Sequence, residues 1–218
     1  MTSQPGIDGV LLFAAGGPLI VDLEESCRRA NLPVVAAILN RPGPDYSLNT
    51  TRTVDVADLS DDLRAVPFLC PLFNPANRRA AVSEALVLGL RAAPALVDPT
   101  AIVASSVAFG AGSYVNAGCI LGAATSIGRH VIVNRGASIG HHGEIGEFVS
   151  IGPGAVIAGQ VRMGPGAMVG AGAAVEPGLT LGAGSVVAAG AVLRQDLPPG
   201  AVAIGNPARI SAALRRLA

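Results

Sequence analysis

Residues 133–161 read VNRGASIGHHGEIGEFVSIGPGAVIAGQV, and an apolar side chain returns at every sixth position of this stretch. The same period runs without a break from residue 97 to residue 193. The positions that hold it are Val97, Val103, Phe109, Val115, Leu121, Ile127, Val133, Ile139, Ile145, Ile151, Ile157, Met163, Val169, Val175, Leu181, Val187 and Leu193. A short fixed period of this kind indicates a solenoid, in which each repeat stacks on its neighbours.

Two further features of the repeat constrain its backbone. Glycine often follows the apolar position, as at Gly122, Gly140 and Gly152, and we expect it to supply positive φ at corners. Four residues after the apolar position the side chain is small or β-branched, as at Ala137 and Val149. An α-helix does not have this period, and the simple alternation of a strand does not explain the glycines. Short strands joined by tight corners satisfy both observations.

The first 95 residues have a different pattern. Apolar strands are predicted at 10–13, 34–39 and near 66–69, and helical segments at 18–31 and 75–90. Strands that alternate with helices in this way favour a small parallel sheet. The fold class is therefore an N-terminal α/β domain of Rossmann-like βαβαβ type followed by a β-solenoid.

We divide the chain into three parts on this basis. Residues 1–95 form the Rossmann-like domain, and residues 96–205 form the solenoid. Residues 206–218, which begin at a corner with the sequence NPAR, are predicted to end in a short basic helix.

Composition excludes several classes of partner. Fifteen Arg, with no Lys, balance fifteen acidic residues, so no net charge attracts nucleic acid or an anionic membrane. No apolar run approaches the roughly 20 residues that a membrane-spanning helix needs, and no secretory signal is visible. Cys27, Cys70 and Cys119 are odd in number and lack CxxC spacing, which argues against disulfides and zinc. We expect a cytoplasmic protein with no metal and no membrane insertion.

The repeat resembles the hexapeptide-repeat acyltransferases, in which three hexads make one coil of a left-handed parallel β-helix. A small βαβ domain placed before such a helix is similar to the sialic acid O-acetyltransferases and the bacillosamine-type UDP-4-amino-sugar N-acetyltransferases. The stretch at residues 133–161 looks like the active-site coil of that group. The resemblance implies a single-stranded left-handed β-helix, a homotrimer, and acetyl-CoA as the co-substrate.

The same resemblance assigns roles to individual residues. His141 falls on the family's general base, and histidine suits that task because its unperturbed pKa is close to the working pH. Asn134 matches a residue that helps to hold the sugar or the catalytic corner. The backbone N–H of Gly159 matches an oxyanion donor. The expected acyl-CoA contacts are the backbone at Ser150, Gly159, Ala171 and Ala189 and the side chain of Arg209.

Two departures from the family pattern affect the expected site. The family has an acidic residue directly after the catalytic histidine, whereas this chain has His142. Glu144, Glu147 or a carboxylate of a neighbouring subunit could orient His141 instead. The alternative is that His141 is a less strongly activated base. We include His142 and Glu144 among the catalytic candidates.

The second departure lies in the N-terminal domain, where the glycine-rich turn reads FAAGGPLI and the acidic pair after the second strand is replaced by Asn40 and Arg41. A helix N-terminus after such a turn can bind phosphate. The candidate sugar-nucleotide residues are Ala15, Gly16, Gly17, Asn40, Asn74 and Arg78.

We expect the chain to transfer an acetyl group to the amino group of a nucleotide-linked amino sugar used in lipopolysaccharide or capsule biosynthesis. O-acetylation of a sugar hydroxyl and a trimeric binding protein without turnover are the alternatives. A zinc-dependent carbonic anhydrase on the same fold is disfavoured, because its three His ligands come from separated coils, whereas His141 and His142 are adjacent and His130 precedes them by eleven residues.

Overall fold

Each hexad folds into a two-residue strand and a corner, and three hexads close one coil. The computed structural model describes residues 8–44, 46–48 and 51–211. Strands eighteen residues apart pair in parallel, as Ile132 pairs with Ser150 and Val133 with Ile151. The stacked coils form a left-handed parallel β-helix behind an α/β domain, which confirms the predicted architecture of the chain.

The β-helix has three flat faces. The docked face contains the strands Leu96–Val97, Tyr114–Val115, Ile132–Val133, Ser150–Ile151, Met168–Val169, Val186–Val187, Val202–Ile204 and Arg209–Ser211. The apolar face contains Ile102–Val103, Ile120–Leu121, Ser138–Ile139, Val156–Ile157, Ala174–Val175 and Val192–Leu193. The polar face contains Ala108–Phe109, Ser126–Ile127, Glu144–Ile145, Arg162–Met163 and Thr180–Leu181.

The interior of the helix holds the two rows of side chains that the hexads predict. Val133 and Ile151 from the apolar row and Ala137 and Ala155 from the small row are fully buried in one cluster. These residues interdigitate across a cross-section too narrow for large side chains, which explains why so few aromatic residues are present.

The glycines that follow the apolar positions serve a different purpose from the one predicted. None of them has positive φ. Instead, a Cβ on Gly122 would lie 2.6 Å from the backbone nitrogen of His141 in the next coil. The left-handed residues come two positions later, at Gly112, Gly118 and Gly136 among others, and also at His142. The glycines directly after the apolar positions are therefore required because the coils stack closely. Those two positions later are favoured because the corner backbone is left-handed there.

The N-terminal domain is a four-stranded parallel sheet flanked by helices. Its elements are β1 Val10–Phe13, α1 Ile20–Arg29, β2 Val34–Leu39, β3 Thr53–Asp55, a 3-10 turn Val56–Asp58, α2 Asp61–Arg64, β4 Phe68–Leu69 and α3 Pro75–Val87. The strand order is β3-β2-β1-β4. The sequence did not predict β3, α2 or the turn, because a three-residue strand in a polar segment carries almost no apolar pattern.

The predicted C-terminal helix is wrong where the structure describes the chain. Arg209–Ser211 is a strand that pairs antiparallel with Val202–Ile204. Residues 212–218, on which the rest of that prediction falls, lie outside the described residues. The hairpin closes the upper end of the docked face and gives its last parallel strand a hydrogen-bonding partner.

Apolar side chains join the two domains. Leu23 and Cys27 of α1 pack in one buried cluster with Leu96, Tyr114 and Ile132 of the docked face. A second contact stacks aromatic rings at 5.1 Å between His130 and Phe148 and at 6.3 Å between His130 and Phe68. Burial lowers the pKa of His130 to about 4, so this ring is uncharged near neutral pH.

Arg78 of α3 is the main polar connection between the domains. It is buried, and its Nε donates to the His130 carbonyl oxygen at 2.9 Å. Its terminal nitrogens donate to the carbonyl oxygens of Leu72, Phe73, Phe148 and Val149 and to the Ser150 hydroxyl. Since every N–H group of the guanidinium has a partner in the protein, the structure gives no support to the predicted role of Arg78 in binding substrate.

Asp98 anchors the start of the β-helix to α1. Its buried carboxylate accepts hydrogen bonds from the Ser26 hydroxyl, from Arg29 and from Thr100. Burial by itself would raise the pKa of Asp98, but these donors outweigh it and lower the pKa to about 2.

The three cysteines, Cys27, Cys70 and Cys119, are free and buried, and burial raises the pKa of each thiol. They act as small apolar side chains. No helix among the described residues combines the length and the hydropathy needed to cross a membrane.

We predict that Asp98 makes the protein sensitive to acid. Because its pKa is lowered on folding, its stabilisation is complete above the unfolded-state pKa of about 4 and is lost as the pH falls towards 2. The wild-type free energy of unfolding should therefore fall by about 2 kcal/mol more than that of Asp98→Asn over this range. Urea unfolding at pH 5 and pH 2.5 measures this, with the exposed Asp62→Asn as control. Equal losses in wild type and Asp98→Asn would contradict the prediction.

Candidate active site

His141 stands at the corner between the apolar face and the polar face, and the glycine of the next coil lies against its ring. The His141 carbonyl oxygen accepts a hydrogen bond from the Gln160 N–H at 2.8 Å, which fixes the two corners relative to each other. A Cβ on Gly159 would lie 2.8 Å from both Nε2 and Cε1 of the imidazole. Only glycine therefore allows the ring to occupy this place, and His141 remains solvent-exposed.

The backbone N–H of Gly159 has no hydrogen-bond acceptor within the described part of the chain. The N–H of the following residue is used between the coils. An unpaired donor beside a histidine ring is the combination that an acyl-transfer site requires, because developing negative charge on an oxygen needs a fixed donor.

His142 is the direct neighbour of His141 in space as well as in sequence. The two Nδ1 atoms are 3.0 Å apart, and the ring planes are nearly perpendicular at 86°. Glu144, the other candidate partner, forms an exposed ion pair with Arg162 at 3.3 Å. The side-chain partner of His141 is therefore the imidazole of His142, whereas Glu144 is paired with Arg162 on the polar face.

Asn134 lies at the opposite end of strand Ser138–Ile139 from His141. Its Oδ1 accepts from Asn116 at 2.9 Å and from the Arg135 N–H at 2.7 Å. Asp22 of α1 joins the same network through Asn116 and Arg135. Within one chain Asn134 thus holds the corner between the docked and apolar faces, and does not contact His141.

The predicted acyl-CoA contacts separate into two groups. Ala171 and Ala189 are exposed on successive coils at the corner between the docked and apolar faces, and Arg209 is exposed on the last strand. Ser150 has no exposed surface, and its hydroxyl bonds to Phe73 and Arg78 at the domain joint. The N-terminal domain covers Ser150, so the structure does not support the predicted contact of its backbone with the pantetheine arm.

A cavity of about 310 Å³ opens at the edge of the N-terminal sheet where the strands end. Residues that follow β1, β2 and β4 and residues of α3 line it, among them Gly16, Asn40, Arg41, Pro44, Leu72 and Asn77. Crevices outside the carboxyl ends of parallel strands are the usual ligand sites of open α/β sheets.

The cavity contains two of the six candidate sugar-nucleotide residues, Gly16 and Asn40. Ala15 and Gly17 are buried beside it. Asn74 is used as the N-cap of α3, where its Oδ1 accepts from the Ala76 and Asn77 N–H groups, so its predicted role in binding is not supported.

Arg41 and Asn77 also line the cavity, and neither is among the sugar-nucleotide residues that the sequence predicts. Arg41 replaces an acidic residue of the family pattern, and that replacement was the signal available in the sequence. Its side chain is exposed and has no ion-pair partner among the described residues. None of the described residues that line the cavity carries a carboxylate, and the cationic Arg41 among them suits an anionic ligand.

Comparisons with known proteins agree with this geometry. The model of the bacterial transferase hexapeptide family (six repeats) matches residues 142–176. A variant of perosamine N-acetyltransferase from Caulobacter crescentus, solved in complex with CoA and GDP-perosamine, is 31% identical, with a TM-score of 0.85 over 94% of this chain and 98% of that chain. The chain belongs to the hexapeptide-repeat sugar N-acetyltransferases.

Two further solved structures are similar to the chain. The acetyltransferase domain of PglB from Neisseria gonorrhoeae, in complex with acetyl coenzyme A, is 29% identical, with a TM-score of 0.81 over 94% of this chain and 99% of that chain. WeeI from Acinetobacter baumannii shares the fold at 23% identity and a TM-score of 0.79, over 93% of this chain and 99% of that chain. No curated protein sequence matches the chain significantly. No cluster of three or more potential metal ligands occurs among residues 8–44, 46–48 and 51–211.

We predict that Gly159→Ala displaces the His141 ring. The new methyl group would overlap the imidazole, so Gly159→Ala should lower the melting temperature and reduce turnover about 100-fold or more. In a His141→Ala background the same substitution should cost little stability, because the ring is gone. A thermal-denaturation cycle of the four variants measures this coupling. If Gly159→Ala lowered the melting temperature equally in the wild-type and His141→Ala backgrounds, the methyl group would be clashing with a group other than the His141 ring.

Proposed function

We propose that this protein transfers an acetyl group from acetyl-CoA to the amino group of a nucleotide-linked sugar, with His141 as the general base. The observation that carries the proposal is the exposed His141 imidazole beside the unpaired Gly159 N–H. Membership of the sugar N-acetyltransferases supports the reaction, and structures of related enzymes hold CoA with GDP-perosamine or acetyl-CoA.

The reaction uses each group in turn. The sugar amine attacks the thioester carbonyl carbon, and His141 Nε2 accepts the proton that the nitrogen must lose. The carbonyl oxygen becomes an oxyanion, which the Gly159 N–H stabilises. The tetrahedral intermediate then collapses, the carbon–sulfur bond breaks, and CoA leaves as a thiol after it receives a proton. Two structures of the related perosamine N-acetyltransferase carry a histidine replaced by Asn or Ala.

The sugar nucleotide occupies the cavity at the sheet edge in this proposal. Arg41 offsets the charge of the diphosphate, and the turn at Gly16 lets the backbone approach it. We accordingly assign nucleotide binding to residues 1–95, acetyl transfer to residues 96–205 and closure of the solenoid to residues 206–218. A reaction that uses acetyl-CoA also agrees with the cytoplasmic location that we expect for a chain with three free cysteines.

We also propose that the active form is a homotrimer. The apolar face leaves Ile102, Ile120 and Val156 exposed by 68%, 48% and 51%. Ser138 stands between Ile120 and Val156 in this row, and exposed apolar side chains grouped in this way on one face are typical of an interface. In a cyclic oligomer one edge of this face meets the opposite edge in the next copy. That arrangement brings Ala171 and Ala189 of one subunit towards His141 of its neighbour, so the acyl-CoA site is complete only in the oligomer.

We predict that charge on the apolar face dissociates the oligomer. Ile120→Glu should give a monomer that has lost acetyl transfer, because a carboxylate would be buried without a partner. Light scattering after size-exclusion chromatography measures the mass. Ser126→Glu, at the equivalent position of the next strand on the polar face, serves as the control and should stay oligomeric. A stable wild-type monomer with full activity would contradict the proposal.

The function is tested by thiol release from acetyl-CoA with a panel of GDP-, UDP- and dTDP-linked amino sugars. Wild type should be active on one nucleotide class. His141→Ala should lower kcat about 100-fold or more, since a positioned general base contributes at least that much. Arg41→Glu should instead raise KM for the sugar nucleotide and leave KM for acetyl-CoA unchanged.

Absence of thiol release across the panel would refute N-acetylation. Activity on hydroxy sugars alone would replace it by O-acetylation, and a CoA-induced rise in melting temperature without any turnover would indicate a binding protein.

A further inference from the structure

The contact between His141 and His142 limits the ways in which the ring of the proposed base can be held. Two nitrogens 3.0 Å apart form a hydrogen bond only if one carries the proton and the other presents its lone pair. Two arrangements are open. Either His141 Nδ1–H donates to His142 Nδ1, or His142 Nδ1–H donates to His141 Nδ1.

The two arrangements have opposite consequences for His141. If its Nδ1 donates, the neutral ring has its lone pair on Nε2, at the edge that lies against Gly159. If its Nδ1 accepts, the neutral ring carries its proton on Nε2, which then cannot take a proton from the substrate. Only the first arrangement supports general-base catalysis.

We propose that His142 is a positioning residue, whose unprotonated Nδ1 accepts the hydrogen bond from His141 Nδ1 and so directs the basic lone pair of His141 to Nε2. This inference rests on the proposed function. The imidazole of His142 thus takes the orienting place of a carboxylate, without its charge.

Within the described part of one chain, no other ionisable side chain stands at this corner. The equivalent corner residues are Ala123 and Ala124 on the preceding coil and Gly159 and Gln160 on the following coil, and none of them ionises. The nearest charged side chain along the chain, Glu144, is engaged by Arg162. His142 is therefore the one side chain bonded to His141 in the described structure.

The arrangement also explains how the pair holds the proton taken from the substrate. Once Nε2 is protonated, the Nδ1–H of His141 remains directed at the lone pair of His142, and the bond becomes charge-assisted. The hydrogen bond requires that only one of the two Nδ1 atoms carries a proton, because two donors cannot bond to each other.

The backbone conformation at residue 142 accommodates several other side chains, so the role of the His142 ring can be tested by substitution. His142 has φ of +56°, a conformation that Asn and Asp tolerate better than most residues. Ala124 holds φ of +58° at the same position one coil earlier, so alanine is also accommodated. His142→Asn keeps a neutral acceptor near the position of Nδ1, His142→Asp adds a charge there, and His142→Ala removes the acceptor.

The test measures kcat/KM for the sugar nucleotide against pH in the three variants. His142→Ala should lower kcat about 10- to 100-fold. His142→Asn should stay within about threefold of wild type, because it supplies the same acceptor. His142→Asp should be active with its acid limb about one pH unit higher, since a carboxylate stabilises protonated His141. Asn behaving like Ala, or Ala behaving like wild type, would overturn the proposal.

Nitrogen-15 NMR of the histidine rings in the intact wild-type protein gives a second, activity-independent readout. The chain has only three histidines, so His141→Ala and His142→Asn assign the signals. We expect protonated Nδ1 and unprotonated Nε2 for His141 near neutral pH, and the opposite tautomer overturns the inference. If His141→Ala retains full turnover, the general-base role fails instead, and the ring signals still decide the tautomer.

Discussion

The structure depends on one constraint, the hydrogen bonding of each short strand to its counterparts eighteen residues away. The Ile132 N–H donates to the Val149 carbonyl oxygen, and the Ser150 N–H repeats this bond one coil higher. Because backbone polar groups inside a packed stack must be paired, the register cannot slip by a residue without exposing the apolar row. The glycines that face the backbone of the next coil follow from this close stacking.

The same register creates the site. His141 and Gly159 are eighteen residues apart and therefore share a corner, which places the imidazole over a residue that has no side chain. The corner conformation of His142 in turn brings its Nδ1 to His141. In a solenoid, residues one coil apart thus share a corner, and His141 and Gly159 meet without a long-range loop.

The joint between the domains shows how a buried charge becomes part of the scaffold. Arg78 loses its hydration on burial, and the loss lowers its pKa to about 10, yet the group stays charged at neutral pH and bonds to carbonyl oxygens on both sides of the joint. Asp98 is a buried anion that likewise stays charged, and its hydrogen bonds join the start of the β-helix to α1. Together they hold the cavity of the N-terminal domain at a fixed position relative to the coils.

The hexad period by itself determined the β-helix, its inward rows and the corner that carries His141, because a periodic fold repeats its local environment. The order of apolar and helical segments predicted the parallel N-terminal sheet but not β3, which is too short to leave a pattern. Only the tertiary structure decided that Arg78 and Ser150 belong to the domain joint, that Asn74 caps a helix, and that His142 bonds to His141. Those roles depend on contacts between distant segments and on side-chain direction at a corner, which spacing along a sequence does not encode.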